Sequence, residues 1–173
     1  MSEVMNNIKT RRSCRAFTDR EIRKEELDQI LEAGIYAPSG MNRQSWQFTV
    51  LRKRENIQKL AGTVSEVLGR GADYNFYDPK VFVLVSNDRQ NPNGAADVAC
   101  ALENMFLAAE DLGVGSCWIN QLKGICDEPK IRELLNNYGI PAEHVVWGCA
   151  SLGYPAGPAK DPVKNADVIR FAD

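Results

Sequence analysis

The sequence is poor in histidine and lacks the motifs from which common hydrolases and metalloproteins build their sites. Its only histidine is His144, beside Glu143, and one histidine cannot form a metal site made of several histidines. The motifs G-x-S-x-G, H-E-x-x-H and G-x-x-x-x-G-K, typical of serine hydrolases, zinc proteases and P-loop proteins, are also absent. We therefore predict no catalytic acid or base and no metal, and we expect the chemistry to come from an organic cofactor.

Further absences exclude other classes of protein. The five cysteines are scattered, odd in number and without a C-x-x-C pair, which favours reduced thiols in a cytoplasmic protein over a disulfide scaffold. A redox pair of Cys117 and Cys126 is the alternative to buried small apolar residues. No apolar run approaches the roughly 20 residues of a membrane span, and the first residues show no leader pattern. A net charge of −2 provides no basic field for nucleic acid or an anionic membrane.

Residues 37–46 have the composition of a binding loop between a helix and a strand. Pro38 lacks a backbone donor and disfavours the helical conformation at Ala37, so the preceding helix should end there. Small polar and turn-forming residues follow, namely Ser39, Gly40, Asn42 and Gln44. Together with the indole of Trp46 they suit a flat polar heterocycle, and an ordinary helix-to-strand turn is the alternative.

Residues 10–17 place three cations close together. The cluster consists of Arg11, Arg12 and Arg15, with the hydroxyl of Ser13 between them. A guanidinium group binds phosphate oxygens through two parallel hydrogen bonds, and a serine adds one more donor. This stretch therefore predicts a phosphate site, with a solvated charged surface as the alternative.

The spacing of apolar residues predicts one domain, residues 1–173, in which helices and strands are mixed. Helical spacing covers about 3–9, 24–36, 54–68, 96–112 and 128–137, and strand-like runs cover 46–51, 81–85 and 145–152. Residues 115–119 are expected to form a short strand or turn, and 168–171 a last strand that adds to another subunit's sheet. Because strands and helices do not alternate strictly, an α+β layered fold is favoured over a doubly wound one.

The order of four blocks resembles the nitroreductase family of FMN-dependent flavoproteins. The blocks are R-R-S-x-R-x-F at residues 11–17, A-P-S followed by N-x-Q-x-W at 37–46, L-G-x-G-S-C-W at 112–118, and L-G-Y-P at 152–155. They span nearly the whole chain. The resemblance implies a three-layer sandwich with a central, mainly antiparallel sheet flanked by helices, and an intertwined homodimer whose FMN sites are shared between subunits.

The resemblance also implies a map of the cofactor site. Polar groups of FMN would contact Arg11, Arg12, Ser13 and Arg15 of one subunit. The other subunit would line the ribityl chain and ring with Pro38, Ser39, Gly40, Asn42 and Gln44. Backbone donors near the flavin N5 and O4 would come from Ile119, Asn120 and Gln121. Where the family usually has arginine to complete the phosphate site, this chain offers Lys160 and Lys164.

On this resemblance we expect an NAD(P)H-dependent flavin oxidoreductase that passes electrons by a ping-pong mechanism to a small, electron-poor acceptor such as a nitroaromatic or quinone. One alternative is another reductive reaction on the same fold, such as dehalogenation or flavin fragmentation. A second alternative is a flavin-binding or redox-sensing protein without significant turnover. A third is a dimeric interaction domain without a cofactor.

Overall fold

A four-stranded antiparallel sheet forms the middle of the protein. The computed structural model describes residues 2–165 and 167–172. The strands are β1 (Trp46–Leu51), β2 (Val81–Asp88), β3 (Gly115–Ile119) and β4 (His144–Gly153), and they lie in the order β1-β2-β4-β3. The helices are α1 (Glu3–Thr10), α2 (Lys24–Ile35), α3 (Arg54–Leu68), α4 (Gly94–Asp111) and α5 (Pro129–Asn137).

Strand β2 lies inside the sheet, and its first five residues, Val81–Val85, form a continuous apolar run. It pairs with β1 on one side, where Phe48 lies opposite Val85, and with β4 on the other. The side chains of its first five residues are buried on both faces of the sheet, because helices cover each face. A strand buried on both faces has no polar face, which explains why its sequence does not alternate.

Two apolar cores lie on opposite faces of the sheet. Phe82 and Leu84 of β2 pack with residues of α3 and α5. The residues Val81, Val83 and Val85, which alternate with them, pack with α2 and α4. Side chains along a strand point to opposite faces in turn, so one strand contributes to both cores. The predicted three-layer α+β sandwich with a central antiparallel sheet is confirmed.

The C-terminal tail differs from the sequence-based expectation. Residues 168–171 were predicted to form a strand, but the structure has a turn at Asp167 and Val168 and no strand among the described residues after β4. The side chains of Val168, Ile169 and Phe171 are exposed. A strand needs a neighbouring strand to pair its backbone groups, and this single chain brings none to the tail. Pairing with another subunit stays a prediction.

Within the described residues, every helix is either too short or too polar to cross a bilayer. This includes α4, whose apolar residues are buried against the sheet and α2.

Candidate active site

A cavity of about 810 Å³ lies where the N-terminal segment meets the end of the sheet. Residues 12–16, 113–115 and 157–160 line much of its wall. The cavity thus joins the predicted R-R-S-x-R block to the glycines before β3 and to the segment after the L-G-Y-P block. These three segments are far apart in the sequence, and the fold brings them together.

The N-terminal segment lies along the free edge of β3. Ser13 forms a parallel bridge to Ser116, and the Cys14 amide donates to the Ser116 carbonyl at 2.8 Å. Gly115 is required at this contact, since a Cβ atom there would lie 2.8 Å from the Cβ and 2.9 Å from the Sγ of Cys14. This close approach sets the shape of the cavity wall.

A second pair of contacts fixes the other end of this segment. Phe17 forms an antiparallel bridge to Pro155, and the Ala156 amide donates to the Ala16 carbonyl at 2.9 Å. The segment therefore lies between β3 and the chain that leaves β4. Its backbone is held on both sides, which fixes the positions of the arginines.

The cavity carries three cations that make no ion pair among the described residues: Arg12, Arg15 and Lys160. Arg12 instead donates to backbone carbonyls, including that of Lys160 at 3.2 Å. One carboxylate, Glu110, also lines the wall. With the Ser13 hydroxyl, these cations form a donor set that suits a phosphate group.

Two of the predicted phosphate ligands do not line this cavity. Arg11 lies 3.5 Å from Glu103 of α4 and forms an ion pair with it. Lys164 lies farther along the exposed tail and is not part of the wall. Of the two lysines proposed from the sequence, the structure brings only Lys160 to the arginines.

The loop of residues 38–44, hereafter the Pro38 loop, lies between α2 and β1 and does not line the cavity. Asn42 and Gln44 are exposed and adopt left-handed backbone conformations, with φ of 54° and 49°. The Gln44 side chain donates to that of Asn42 at 2.8 Å, and the Gln44 amide donates to the Ser39 hydroxyl at 3.2 Å. The loop thus holds its polar side chains in a defined arrangement at the surface.

A buried polar network lies beneath the Pro38 loop, which the sequence did not reveal. Asp97 in the first turn of α4 accepts from the Gly40 amide at 2.8 Å and from the Asn91 side chain at 2.9 Å. The Asn91 side chain also donates to Ser45, and Ser45 donates to Asn87.

Two of the backbone donors predicted at the end of β3, Ile119 and Asn120, have partners within the chain. Ile119 lies in the ladder opposite Cys149 of β4. The Asn120 amide donates to the side-chain oxygen of Gln121 at 3.0 Å. A ligand that takes this amide must therefore displace the Gln121 side chain.

The aromatic loop between α3 and β2 lies next to the arginine segment. Phe76, Tyr77 and Asp78 adopt three successive left-handed conformations. Phe76 is buried, and its carbonyl accepts from Ser151 at 2.9 Å. Tyr77 is exposed, with the Arg15 guanidinium 5.9 Å from its ring centre. The loop therefore combines core packing with one aromatic ring at the surface.

The buried thiols and the single histidine have pKa values shifted toward their neutral forms. Burial raises the pKa of the Cys117, Cys126 and Cys149 thiols, so they stay protonated. Burial lowers the pKa of His144, whose Nδ1 lies 3.0 Å from the Ser86 hydroxyl. No group of residues suited to a metal ion occurs in the described part of the chain.

Comparison with known proteins identifies relatives over most of the chain. The model of the Nitroreductase family matches residues 8–154. A protein of Archaeoglobus fulgidus, provisionally named an NADH dehydrogenase/NAD(P)H nitroreductase, is 38% identical over 90% of this chain and 87% of its own. An NAD(P)H-dependent FMN reductase of Bacillus subtilis is 32% identical over 94% of this chain and 70% of its own.

Solved structures give the same result. A nitroreductase with bound FMN from Bacteroides fragilis superposes with a TM-score of 0.93, at 37% identity, over the full length of both chains. Agreement of this kind covers the sheet, the helices on both its faces and the segments that line the cavity.

Proposed function

This chain belongs to the nitroreductase family, and from that premise we propose that it is an FMN-dependent oxidoreductase that uses NADH or NADPH to reduce small, electron-poor molecules. The observation that carries the proposal is the cavity in which Arg12, Arg15, Lys160 and Ser13 converge. An unpaired set of cations with a hydroxyl matches the phosphate of FMN, the cofactor bound by the B. fragilis nitroreductase.

The residues of this chain would bind and orient the cofactor. Arg12, Arg15 and Lys160 would hold the phosphate, and exposed Asn42 and Gln44 would bind polar groups of the ring or ribityl chain. FMN, when bound, supplies a centre that accepts a hydride from NAD(P)H and later gives electrons to nitroaromatics or quinones, in two half-reactions that alternate at one site. No side chain is required as an acid or base.

We propose further that two copies of this chain share each site. The Pro38 loop does not line the cavity that Arg12 and Lys160 line, which supports a site built from one subunit's cavity and its partner's loop. Helix α1 exposes apolar side chains at Val4, Met5 and Ile8, with 65%, 43% and 47% of their surfaces accessible. Apolar surface of this kind is typical of an interface.

The test is a titration of FMN-free protein with FMN, followed through visible absorption, with sedimentation analysis on the same samples. We expect saturation near one FMN per subunit and a dimer. NAD(P)H oxidation is then measured with and without a nitroaromatic or a quinone. Binding without acceptor-dependent oxidation would favour a flavin-binding or redox-sensing protein, and no binding would overturn the proposed function.

A further inference from the structure

Asp97 is a buried carboxylate without a cation beside it. Only 4% of its surface is accessible, and among the described residues it makes no ion pair. A buried charge is costly unless hydrogen bonds and dipoles compensate for it. The N-terminal end of α4 provides part of this compensation, since Asp97 lies in the first turn of that helix.

The rest of the compensation comes from the Pro38 loop. The Gly40 amide donates to Oδ1 of Asp97 at 2.8 Å. Gly40 lies close against the start of α4, because a Cβ atom there would be 2.3 Å from the side-chain nitrogen of Asn93. The loop is thus attached through its backbone, which leaves the side chains of Asn42 and Gln44 exposed.

The same carboxylate also reaches the far end of the loop. Asn91 donates to Oδ2 of Asp97 at 2.9 Å and to the hydroxyl of Ser45 at 3.1 Å. Asp97 is therefore linked to Gly40 directly and to Ser45 through one amide. These two residues bracket the part of the loop that carries Asn42 and Gln44.

The backbone between these two anchors is strained. Met41, Asn42 and Gln44 have φ values of 55°, 54° and 49°, in a left-handed region that asparagine tolerates but that Met41 and Gln44 adopt only at a cost. Such conformations persist only where surrounding contacts fix them. Contacts at Gly40 and Ser45 are in the right places to do so.

We propose that Asp97 is a positioning residue that holds the Pro38 loop in the shape that binds the flavin. It does not touch the ligand. It acts through Gly40 and Asn91, and this role rests on the proposed function. Without the carboxylate the loop would become mobile, and FMN binding would weaken. This loss of affinity would be larger than in a variant that is destabilised to the same extent elsewhere.

The experiment compares Asp97→Asn with wild type in FMN affinity, in amide hydrogen exchange at Gly40 of the FMN-free protein, and in its thermal unfolding midpoint. The substitution keeps the size of the side chain but turns an amide donor toward the Asn91 donor. We expect the Kd for FMN to rise roughly 10- to 100-fold and the Gly40 amide to exchange faster.

Ser65→Ala is the matched control for stability. The Ser65 hydroxyl is buried and donates to the carbonyls of Arg70 and Gly71, at the end of α3 away from the cavity and the loop. We expect Ser65→Ala to lower the unfolding midpoint and leave the Kd for FMN unchanged. An equal rise of the Kd in both variants would overturn the positioning role.

The exchanged pair Asn91→Asp/Asp97→Asn tests the contact itself. In this double variant the amide of residue 97 can donate to the carboxylate of residue 91, so one donor again faces one acceptor. We expect it to recover most of the FMN affinity lost in Asp97→Asn. If the double variant recovered no FMN affinity, the proposed contact between residues 91 and 97 would be overturned. If Asp97→Asn bound FMN with wild-type affinity, the positioning role of Asp97 would be overturned while the proposed function stands. A wild-type protein that fails to bind FMN would instead overturn the proposed function, and this role of Asp97 with it.

Discussion

The hydroxyl of Tyr154, just after β4, donates to the buried carboxylate of Glu26 in the first turn of α2. Arg23 donates to the same carboxylate through its backbone amide at 3.1 Å and its guanidinium at 2.5 Å. Arg20 lies over the Tyr154 ring, 3.9 Å from its centre. This cluster holds the end of β4, from which the chain runs on to Lys160, against α2.

Glu26 is expected to make the protein sensitive to acid. Hydrogen bonds from Arg23 and Tyr154 lower the pKa of Glu26 from 4.5 to about 2. A carboxyl group whose pKa is lower in the folded than in the unfolded state stabilises the fold at any pH above the unfolded-state pKa. This stabilisation is lost as the pH falls toward 2. Between about pH 5 and about pH 2 the free energy of unfolding should fall by on the order of 2 kcal/mol more in wild type than in Glu26→Gln.

Denaturant unfolding at several pH values measures this difference. Glu25→Gln is the control, since Glu25 is exposed on the same turn of α2. Parallel curves for wild type and Glu26→Gln would contradict the prediction.

Arg12→Ala is expected to weaken FMN binding. Loss of a hydrogen bond to a charged group costs about 1.5–3 kcal/mol, equivalent to a rise in Kd of roughly 10- to 150-fold. The measurement is a fluorescence titration of FMN-free protein. Arg52→Ala is the matched control, because Arg52 is exposed between β1 and α3. An unchanged Kd in Arg12→Ala would remove Arg12 from the phosphate site.

Asn42→Ala is expected to weaken FMN binding without changing the fold. Its side chain is exposed and accepts only from Gln44 among the described residues, so little stability depends on it. We expect a Kd several-fold higher, by roughly 1 kcal/mol, with the same unfolding midpoint and the same dimer. A monomer that still bound FMN tightly would refute the shared site.

Gly115→Ala is expected to disturb the cavity wall. The added methyl group would meet the Cys14 side chain at 2.8 Å and the Gly153 carbonyl oxygen at 3.1 Å. Overpacking at such a site costs about 1–3 kcal/mol, and FMN affinity should fall with it. Gly62→Ala in α3 is the control, since nothing beyond the adjacent residues and the helix's own backbone lies within 4 Å of the added methyl group, and it should stabilise the helix by about 0.5–1 kcal/mol. Equal unfolding midpoints in the two variants would contradict the close contact.

The order of the secondary structure followed from the sequence because periodicity is a local signal. The apolar stripe of 24–36 became α2, and the continuous run at Val81–Val85 became the central strand. The strand predicted at 168–171 does not form in the single chain, because strand formation depends on a partner that local sequence does not specify, and its pairing with another subunit stays a prediction.

The site was predictable only in part, for a related reason. The arginines and the Pro38 loop stand out as short motifs, whereas the contacts that hold them join distant positions. Asp97 meets Gly40 across 57 residues, and Tyr154 meets Glu26 across 128. A single aspartate in the first turn of a helix is common, so nothing nearby in the sequence marked Asp97 as an anchor.

The cavity wall pairs one of the first segments of the chain with one of the last, through Phe17 and Pro155. During translation a ribosome adds about 5–20 residues per second, so roughly 7–30 seconds separate the synthesis of these two partners. Throughout that interval the arginine segment of the nascent chain lacks the outgoing chain that holds its far end. The wall of the cavity is therefore incomplete until translation has passed Lys160.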